Sequence, residues 1–510
     1  MLFNSFTFLF LFLPLTALGY FMLARKSHEY AAAWLALASL IFYGWWSVAY
    51  IPLLLGSIVF NYWMGQRIGA ASGPARKQWL TAAVGADLLL LAYYKYTDFF
   101  ISGVNGLTGA DIPALHIILP IGISFFTFTQ IAYLVDTYQS KVSESRFLHY
   151  VLFITYFPHL IAGPVLHHAE MMPQFGRAAS YRFSNRNLAV GLSIFAIGLA
   201  KKVLIADNLA PYANFLFDKS DMFSLALAWG GVLAYAFQLY FDFSGYSDMA
   251  IGISLLFGIR LPLNFDSPYK SVNIVEFWRR WHMTLSRFLR DYLYVPLGGN
   301  RKGRVRRYVN LMLTMVLGGL WHGAGLNYVI WGLLHGVYLV INHSWEALAT
   351  RIGFPRTSRP WALFSVALTF AAVCVAWVFF RAADMGKALL ILQGMAGVHG
   401  LGLPASIGAQ LGGLKPVLEH WGVVFYMGGG SRFLETWQWV VIGGLIAFCL
   451  PNTQQIMVRY ESALGGASRP YRATWQVWQP SRRWGIYIGA ILLGSMLSLS
   501  RPAEFLYFQF

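Results

Sequence analysis

Runs of about 20 apolar residues return along this 510-residue chain, and they limit the fold more than any other property, because a helix crossing a bilayer needs about that length. They fall at residues 5–24, 30–48, 79–94, 149–166, 187–205, 222–245, 311–341, 361–380, 437–450 and 484–500. The 311–341 run is long enough for two shorter spans, and residues 51–64 supply a return path after 30–48. Charged residues are 12% of the chain, about half the share found in soluble domains. In lipid a backbone must satisfy its own hydrogen bonds, and runs this long do so as helices. The expected fold is all-α: a polytopic integral membrane bundle of roughly ten to twelve spans, one membrane domain over 1–510 with no soluble domain.

Charge is concentrated. The formal balance of 38 Lys/Arg against 21 Asp/Glu is +17, and residues 260–310 alone carry eleven Lys/Arg against three acids, a net of +8. Basic segments of this kind gather on the cytoplasmic face. The same patch suits an anionic cytosolic ligand or anionic membrane lipid; nucleic acid is not an expected partner. No basic residue precedes the first apolar run, whereas Arg25 and Lys26 follow it directly. That places the N-terminus outside and the 25–29 loop in the cytosol, and a removable signal peptide does not fit. A hairpin within 30–64 keeps a 66–78 loop, with Arg67, Arg76 and Lys77, cytoplasmic.

Cys374 and Cys449 lie singly in apolar runs and are expected to be packed and reduced. The sequence has no His-Glu-x-x-His pattern, no zinc-ligand spacing and no glycine loop leading into a phosphate-binding lysine. Metal, ATP and sugar-nucleotide chemistry are therefore not expected.

Two apolar runs are interrupted: Leu119-Pro120-Ile121-Gly122-Ile123-Ser124, and residues 157–164 with Pro158, His159 and Pro164. Breaks at membrane depth either kink a helix or line a cavity. From Val275 to Tyr292, the residues Trp278, Trp281, Leu285, Phe288 and Tyr292 recur at helical spacing. Glu276–Arg280 and Arg287–Asp291 supply i,i+4 pairs on the wetter side. This predicts an interfacial helix, on which His282 and Ser286 share a face. Asp242 and Asp248, beside or within a span, are expected to pair with arginines of that helix.

One histidine stands out. His322, in Leu317-Gly318-Gly319-Leu320-Trp321-His322-Gly323-Ala324, sits in an apolar run where an ionisable group is costly. It either packs against a polar neighbour or takes and gives a proton. His335 is thirteen residues further on, on nearly the opposite side of the helix if the helix is continuous.

Trp321-His322-Gly323-Ala324, preceded by Glu276-Phe277-Trp278-Arg279-Arg280-Trp281-His282, resembles the membrane-bound O-acyltransferase family, and within it the bacterial branch that acetylates exported polysaccharides. Residues 119–126, 157–164, 201–208, 238–248, 291–300 and 505–510 agree with it. The resemblance spans nearly the whole chain and is weak over 386–431. It implies that His322 is the family's essential histidine and that His282 occupies its second motif position. It also implies broken helices around a central funnel, with a cytosolic entrance for the donor and an outer opening for the acceptor.

Acyl transfer from a thioester needs a base for the incoming hydroxyl and donors for the developing oxyanion. His322 suits the first role. His282, Ser286, the Trp321 indole N–H or backbone N–H groups near Gly318-Gly319 suit the second. The expected protein is an inner-membrane O-acetyltransferase that draws acetyl groups from a cytosolic donor, acetyl-CoA, for an exported polysaccharide of alginate or cellulose type. Arg279, Arg280, Arg301 and Lys302 are the candidates for binding that donor. The resemblance also implies a periplasmic partner of the Ser-His-Asp (SGNH) hydrolase fold, within a polysaccharide synthesis and export complex. The rival readings are another envelope acceptor (peptidoglycan, teichoic acid or protein), a transporter of acetyl groups or polymer without catalysis, and a structural subunit of a polysaccharide synthase.

Overall fold

The computed structural model describes residues 1–142, 146–161, 163–465, 476–499 and Leu506. The sequence motif at 505–510, Leu506 apart, and Ala162 within 157–164 lie outside these. The N-terminal part is built from α1 (Leu13–Ala24), α2 (His28–Gly44), α3 (Ile51–Ala70), α4 (Gly73–Thr108) and α5 (Ile123–Tyr138). Short pieces follow: α6 (Phe147–Thr155), α7 (Phe157–Leu160) and α8 (His168–Phe175). Next come α9 (Asn185–Ala200), α10 (Asp207–Asn214), α11 (Leu225–Leu256), α12 (Ile274–Arg280) and α13 (Met283–Leu289). Then follow α14 (Arg304–His322), α15 (Leu326–Arg351) and α16 (Arg359–Arg381). Beyond them, a small parallel pair of strands, β1 (Gly402–Pro404) and β2 (Val424–Tyr426), stands among short helices. On length and composition alone, the helices over Val48–Ala70, Asn185–Lys219 and Arg359–Arg381 are each long and apolar enough to cross a membrane.

The core is organised around α11, none of whose residues is exposed. A helix that is apolar all round belongs inside a bundle. It meets α9 antiparallel through two glycine pairs seven residues apart, Gly191 with Gly252 and Gly198 with Gly245. A Cβ on any of the four would come within 2.5–2.7 Å of the opposite glycine's carbonyl oxygen. Small residues at these crossings let the two backbones touch. Asp242 and Asp248 of α11 do not reach the arginines of 279–290, as the sequence had led us to expect. Lys202 pairs with Asp242 and Asp207, both at 2.7 Å, and Lys201 pairs with Asp248 at 2.6 Å. The π-helical turn Lys201–Ala206 that follows α9 carries both lysines along the face of α11.

Several runs fold differently from their sequence pattern. Residues 149–166 form no single span: α6 stops at Thr155, α7 holds four residues, and 164–167 have no regular secondary structure. Pro158 and Pro164 remove backbone donors there. The 119–124 break is the start of α5 rather than a kink within it. Gly122 lies at φ 73°, and a Cβ there would meet the Leu160 carbonyl oxygen at 2.8 Å, so the two interrupted runs touch. Residues 51–64 belong to the full-length helix α3, and the expected 66–78 loop shrinks to Ala71-Ser72. The 311–341 run does divide, into α14 and α15, at Gly323-Ala324-Gly325. Cys374 is buried as expected, but Cys449, on the outer side of the last turn of Gly430–Cys449, is exposed.

The segment 275–292 departs most. It is two short helices and a π turn (Arg290–Tyr294), broken at His282, whose φ is 42°. The Glu276–Arg280 pair forms at 2.7 Å. Arg287 instead reaches Glu170 with two bonds of 2.6 and 2.8 Å, and Asp291 is taken by Arg290.

Candidate active site

His322 is the last residue of α14. A helix end leaves carbonyl groups without intrahelical donors, and here two neighbouring side chains of α4 supply them. Lys95 Nζ donates to the carbonyls of Trp321 and, at 3.1 Å, His322, with Ser124 Oγ at 3.5 Å. Tyr96 donates its hydroxyl to the Leu320 carbonyl at 2.7 Å. A cation at a helix C-terminus also meets the negative end of the helix dipole. Trp321 is held between Phe125 and Phe128, and Phe128 stacks in turn on Phe288 of α13 at 4.3 Å. The end of α14 is thereby fixed from α4, α5 and α13 together.

The His322 imidazole is buried, walled by Trp321, Trp331 and Phe380 at ring distances of 4.9, 5.1 and 5.2 Å. No described residue hydrogen-bonds either of its ring nitrogens. His282 faces it at 6.5 Å between ring centres. A cavity of about 20 Å³ lies between them, bounded also by Asp242, Phe243, Trp281 and Trp377. That is room for about one water-sized group. The break at His282 creates this meeting, because a continuous helix would have carried its side chain along the α12 axis. His282 Nδ1 is 3.2 Å from Asn264 Oδ1, and its buried Nε2 has no partner among the described residues. The indole N–H groups of Trp321 and Trp331 are likewise buried without a described acceptor, so spare donors stand beside the His322 ring.

A second, larger cavity of about 660 Å³ runs along α13 and α14, with Arg279, Arg287, Arg290 and Arg307 on its wall and Met315 and Leu339 in its apolar lining. Ser286 lines it too, while donating its hydroxyl to the Trp281 carbonyl at 3.3 Å. Of the four basic residues singled out for donor binding, Arg279 lies on this wall. Arg280 is engaged with Glu276 and the Asp266 carbonyl. Arg301 and Lys302 are exposed in the turn before α14.

Two other histidines have polar partners of their own. His159 Nε2 is bonded to the Phe153 carbonyl at 2.8 Å, an arrangement that satisfies a core histidine. The break at Gly323–Gly325 turns His335 back toward the site, one indole away from His322, where its Nδ1 accepts from the Trp278 indole at 3.3 Å. Sequence reasoning missed Lys95, Tyr96 and Asn264. Lys95 had one visible signal, a charge at the edge of the 79–94 apolar run. The other two are ordinary residues until the chain brings them across 224 and 18 positions.

An imidazole with a free ring nitrogen, in an apolar and nearly closed pocket beside unused N–H donors, can accept a proton while a neighbouring oxygen takes up charge. Comparison with known proteins points the same way. The profile of the MBOAT, membrane-bound O-acyltransferase family, matches residues 6–382. The peptidoglycan O-acetyltransferase of Helicobacter pylori is 48% identical over 431 residues, 79% of this chain and 81% of that protein. The probable alginate O-acetylase AlgI of Azotobacter vinelandii is 45% identical over 397 residues, 76% of each chain. Its namesake in Pseudomonas putida is 43% identical over 425 residues, 81% of this chain and 84% of that protein.

Proposed function

The chain belongs to the membrane-bound O-acyltransferase family, and from that premise we propose that it carries acetyl groups from cytosolic acetyl-CoA to hydroxyls of an extracytoplasmic glycan. The observation that supports this most is the His322 imidazole, without a hydrogen bond among the described residues and facing His282 across a small pocket, at a helix end tied down by Lys95 and Tyr96. His322 takes the proton of the attacking hydroxyl as its oxygen bonds to the acetyl carbon. The carbon–sulfur bond of the thioester then breaks, and the proton passes to the departing thiolate. The indole N–H of Trp331, which lines the pocket and has no acceptor among the described residues, is a candidate to stabilise the oxyanion between these events.

The cavity along α13 and α14, with Arg279 and Arg307 on its wall beside the paired Arg287 and Arg290, has the volume and charge to receive a phosphorylated thioester donor. In this reading the donor binds on the face where the 260–310 segment concentrates positive charge, taken as the cytosolic face of an inner membrane, with the N-terminus periplasmic. The acceptor is an alginate-type polysaccharide, completed by a periplasmic partner of the SGNH hydrolase fold. Peptidoglycan is the second reading, favoured by the 48% identity to a peptidoglycan O-acetyltransferase.

Membranes containing the protein, given acetyl-CoA labelled in the acetyl group, should release free thiol and label a glycan, and His322→Ala at equal abundance should do neither. Acetylation that persists in His322→Ala refutes the mechanism, and flux of label without thiol release would make the protein a transporter. Hydrolysis of the labelled product to uronic acid or to muramic acid decides the acceptor.

A further inference from the structure

The break at His282 has a cause elsewhere in the chain. A residue in the left-handed region at the start of a helix cannot cap it with its own side chain, and His282 makes no such bond. Asn264, in the irregular stretch after α11, caps α13 in its place. Its backbone carbonyl accepts from the Met283 N–H at 2.9 Å, and its side-chain Oδ1 accepts from the Thr284 N–H at 3.3 Å. Two of the free donors at the head of α13 are thus satisfied from outside the helix.

The same oxygen reaches His282 Nδ1 at 3.2 Å and Thr284 Oγ1 at 2.9 Å. Thr284 Oγ1 in turn accepts from the Val165 N–H at 3.0 Å, so its own proton is free to point at Asn264. The Asn264 amide NH₂ lies 3.3 Å from Ser247 Oγ. These partners fix which end of the amide is which. The Thr284 N–H can only donate, so the atom facing it must be the oxygen. That oxygen can only accept, so His282 Nδ1 must carry its proton, which leaves Nε2 as the lone-pair nitrogen of the neutral ring. Nε2 is the buried nitrogen without a described partner.

We infer that Asn264 is a positioning residue for acyl transfer, holding His282 in the Nδ1–H tautomer so that Nε2 is a proton acceptor in the His322 pocket. The inference rests on the acyl-transfer reading above, and it assigns His282 a direction. The ring can receive at Nε2 the proton that His322 has taken from the hydroxyl and give it back for the thiolate; it does not donate to the oxyanion from Nε2 while neutral. Asn264 is buried and does not itself line the His322 pocket, so its influence passes through His282.

The test uses the full-length protein in membranes, with Asn264→Leu and Asn264→Asp beside the parent. Leucine removes the acceptor, whereas aspartate keeps an oxygen facing Thr284 and His282. Thioester cleavage should fall about 10- to 100-fold in Asn264→Leu, the range expected when a residue orienting an active histidine is lost. Asn264→Asp should recover most of it. Nitrogen-15 NMR of histidine-labelled protein supplies a readout independent of turnover: parent and Asn264→Asp should show His282 protonated at Nδ1, assigned by its loss in His282→Asn, and Asn264→Leu should not. Full activity in Asn264→Leu, or an Nε2–H tautomer in the parent, overturns the inference. If Asn264→Leu is too scarce in membranes to assay, the parent tautomer alone decides. Activity retained in His322→Ala would instead refute the underlying mechanism, with the His282 tautomer unchanged.

Discussion

Replacing Gly332 by alanine should cost catalysis far more than it costs abundance. α14 and α15 run antiparallel and touch backbone to backbone: a Cβ on Gly332 would lie 2.3 Å from the Met315 carbonyl oxygen and 3.0 Å from Val316 Cα. Neither neighbour is a flexible side-chain tip. Non-bonded heavy atoms settle at about 3.5–4.0 Å, so the helices must part by about 1 Å. Overpacking of this kind costs about 1–3 kcal/mol of stability. His322 ends α14 two turns beyond Met315 and is tied at its own carbonyl to Lys95 of α4, so α14 cannot shift as a rigid rod without disturbing the His322–His282 distance. A displacement of about 1 Å at a reacting group is worth about 100-fold in rate. Glycan acetylation at matched membrane abundance should therefore fall by about two orders of magnitude. Gly325→Ala is the control, since its backbone is extended and the nearest atoms are 3.5 and 3.7 Å away on the Tyr328 ring. Parent-level acetylation in Gly332→Ala, or equal losses in both variants, would show that the α14–α15 contact does not set the position of His322.

Lys95→Met should leave the carbonyls of Trp321 and His322 without their donor, at about 1–3 kcal/mol for each group left unpaired; acetyl transfer should drop with it, and a melting temperature in detergent will show the stability part. Lys202→Met strands two carboxylates, Asp207 and Asp242, and should destabilise by about 3–5 kcal/mol. Adding Asp242→Asn should recover part of that, whereas a further loss in the double variant would argue against the pairing. His159→Gln should keep acetylation near the parent level, because its role is one bond to the Phe153 carbonyl, while His322→Gln should lose it in the same assay.

His322 was legible in the sequence because an imidazole in an apolar run is conspicuous, and because the glycines after it announce the end of a helix. The same glycines gave away the division of 311–341. The break at His282 was hidden. Trp278, Trp281, Leu285, Phe288 and Tyr292 fit a continuous helix, and the residue that caps the second half lies 18 positions upstream. The partners of Asp242 and Asp248 were misjudged for a related reason: arginines were the nearer cations in sequence, but the glycine contact between α9 and α11 delivers lysines instead. Lys95 and Tyr96 act on carbonyls more than two hundred residues away, and no local pattern encodes such a pairing. What the sequence conveys is the chemistry that is costly in lipid; what it conceals is which distant backbone group makes that chemistry tolerable.

The lysine–aspartate ladder between α9 and α11 bears on how the protein is made. Lys201, Lys202, Asp242 and Asp248 would each cost about 2.5–3.5 kcal/mol if a helix bearing one entered the bilayer alone, on the scale measured for insertion. Taken singly the four amount to about 10 kcal/mol or more; once α9 and α11 are docked, each charge has met its opposite. The glycine pairs allow that docking without any side chain having to be repacked. Residues 185–256 are thus suited to leave the insertion machinery as one unit, with α9 waiting at its edge until α11 has been synthesised. A ribosome stalled before Asp242 would hold Lys201 without its aspartate and Lys202 with Asp207 alone.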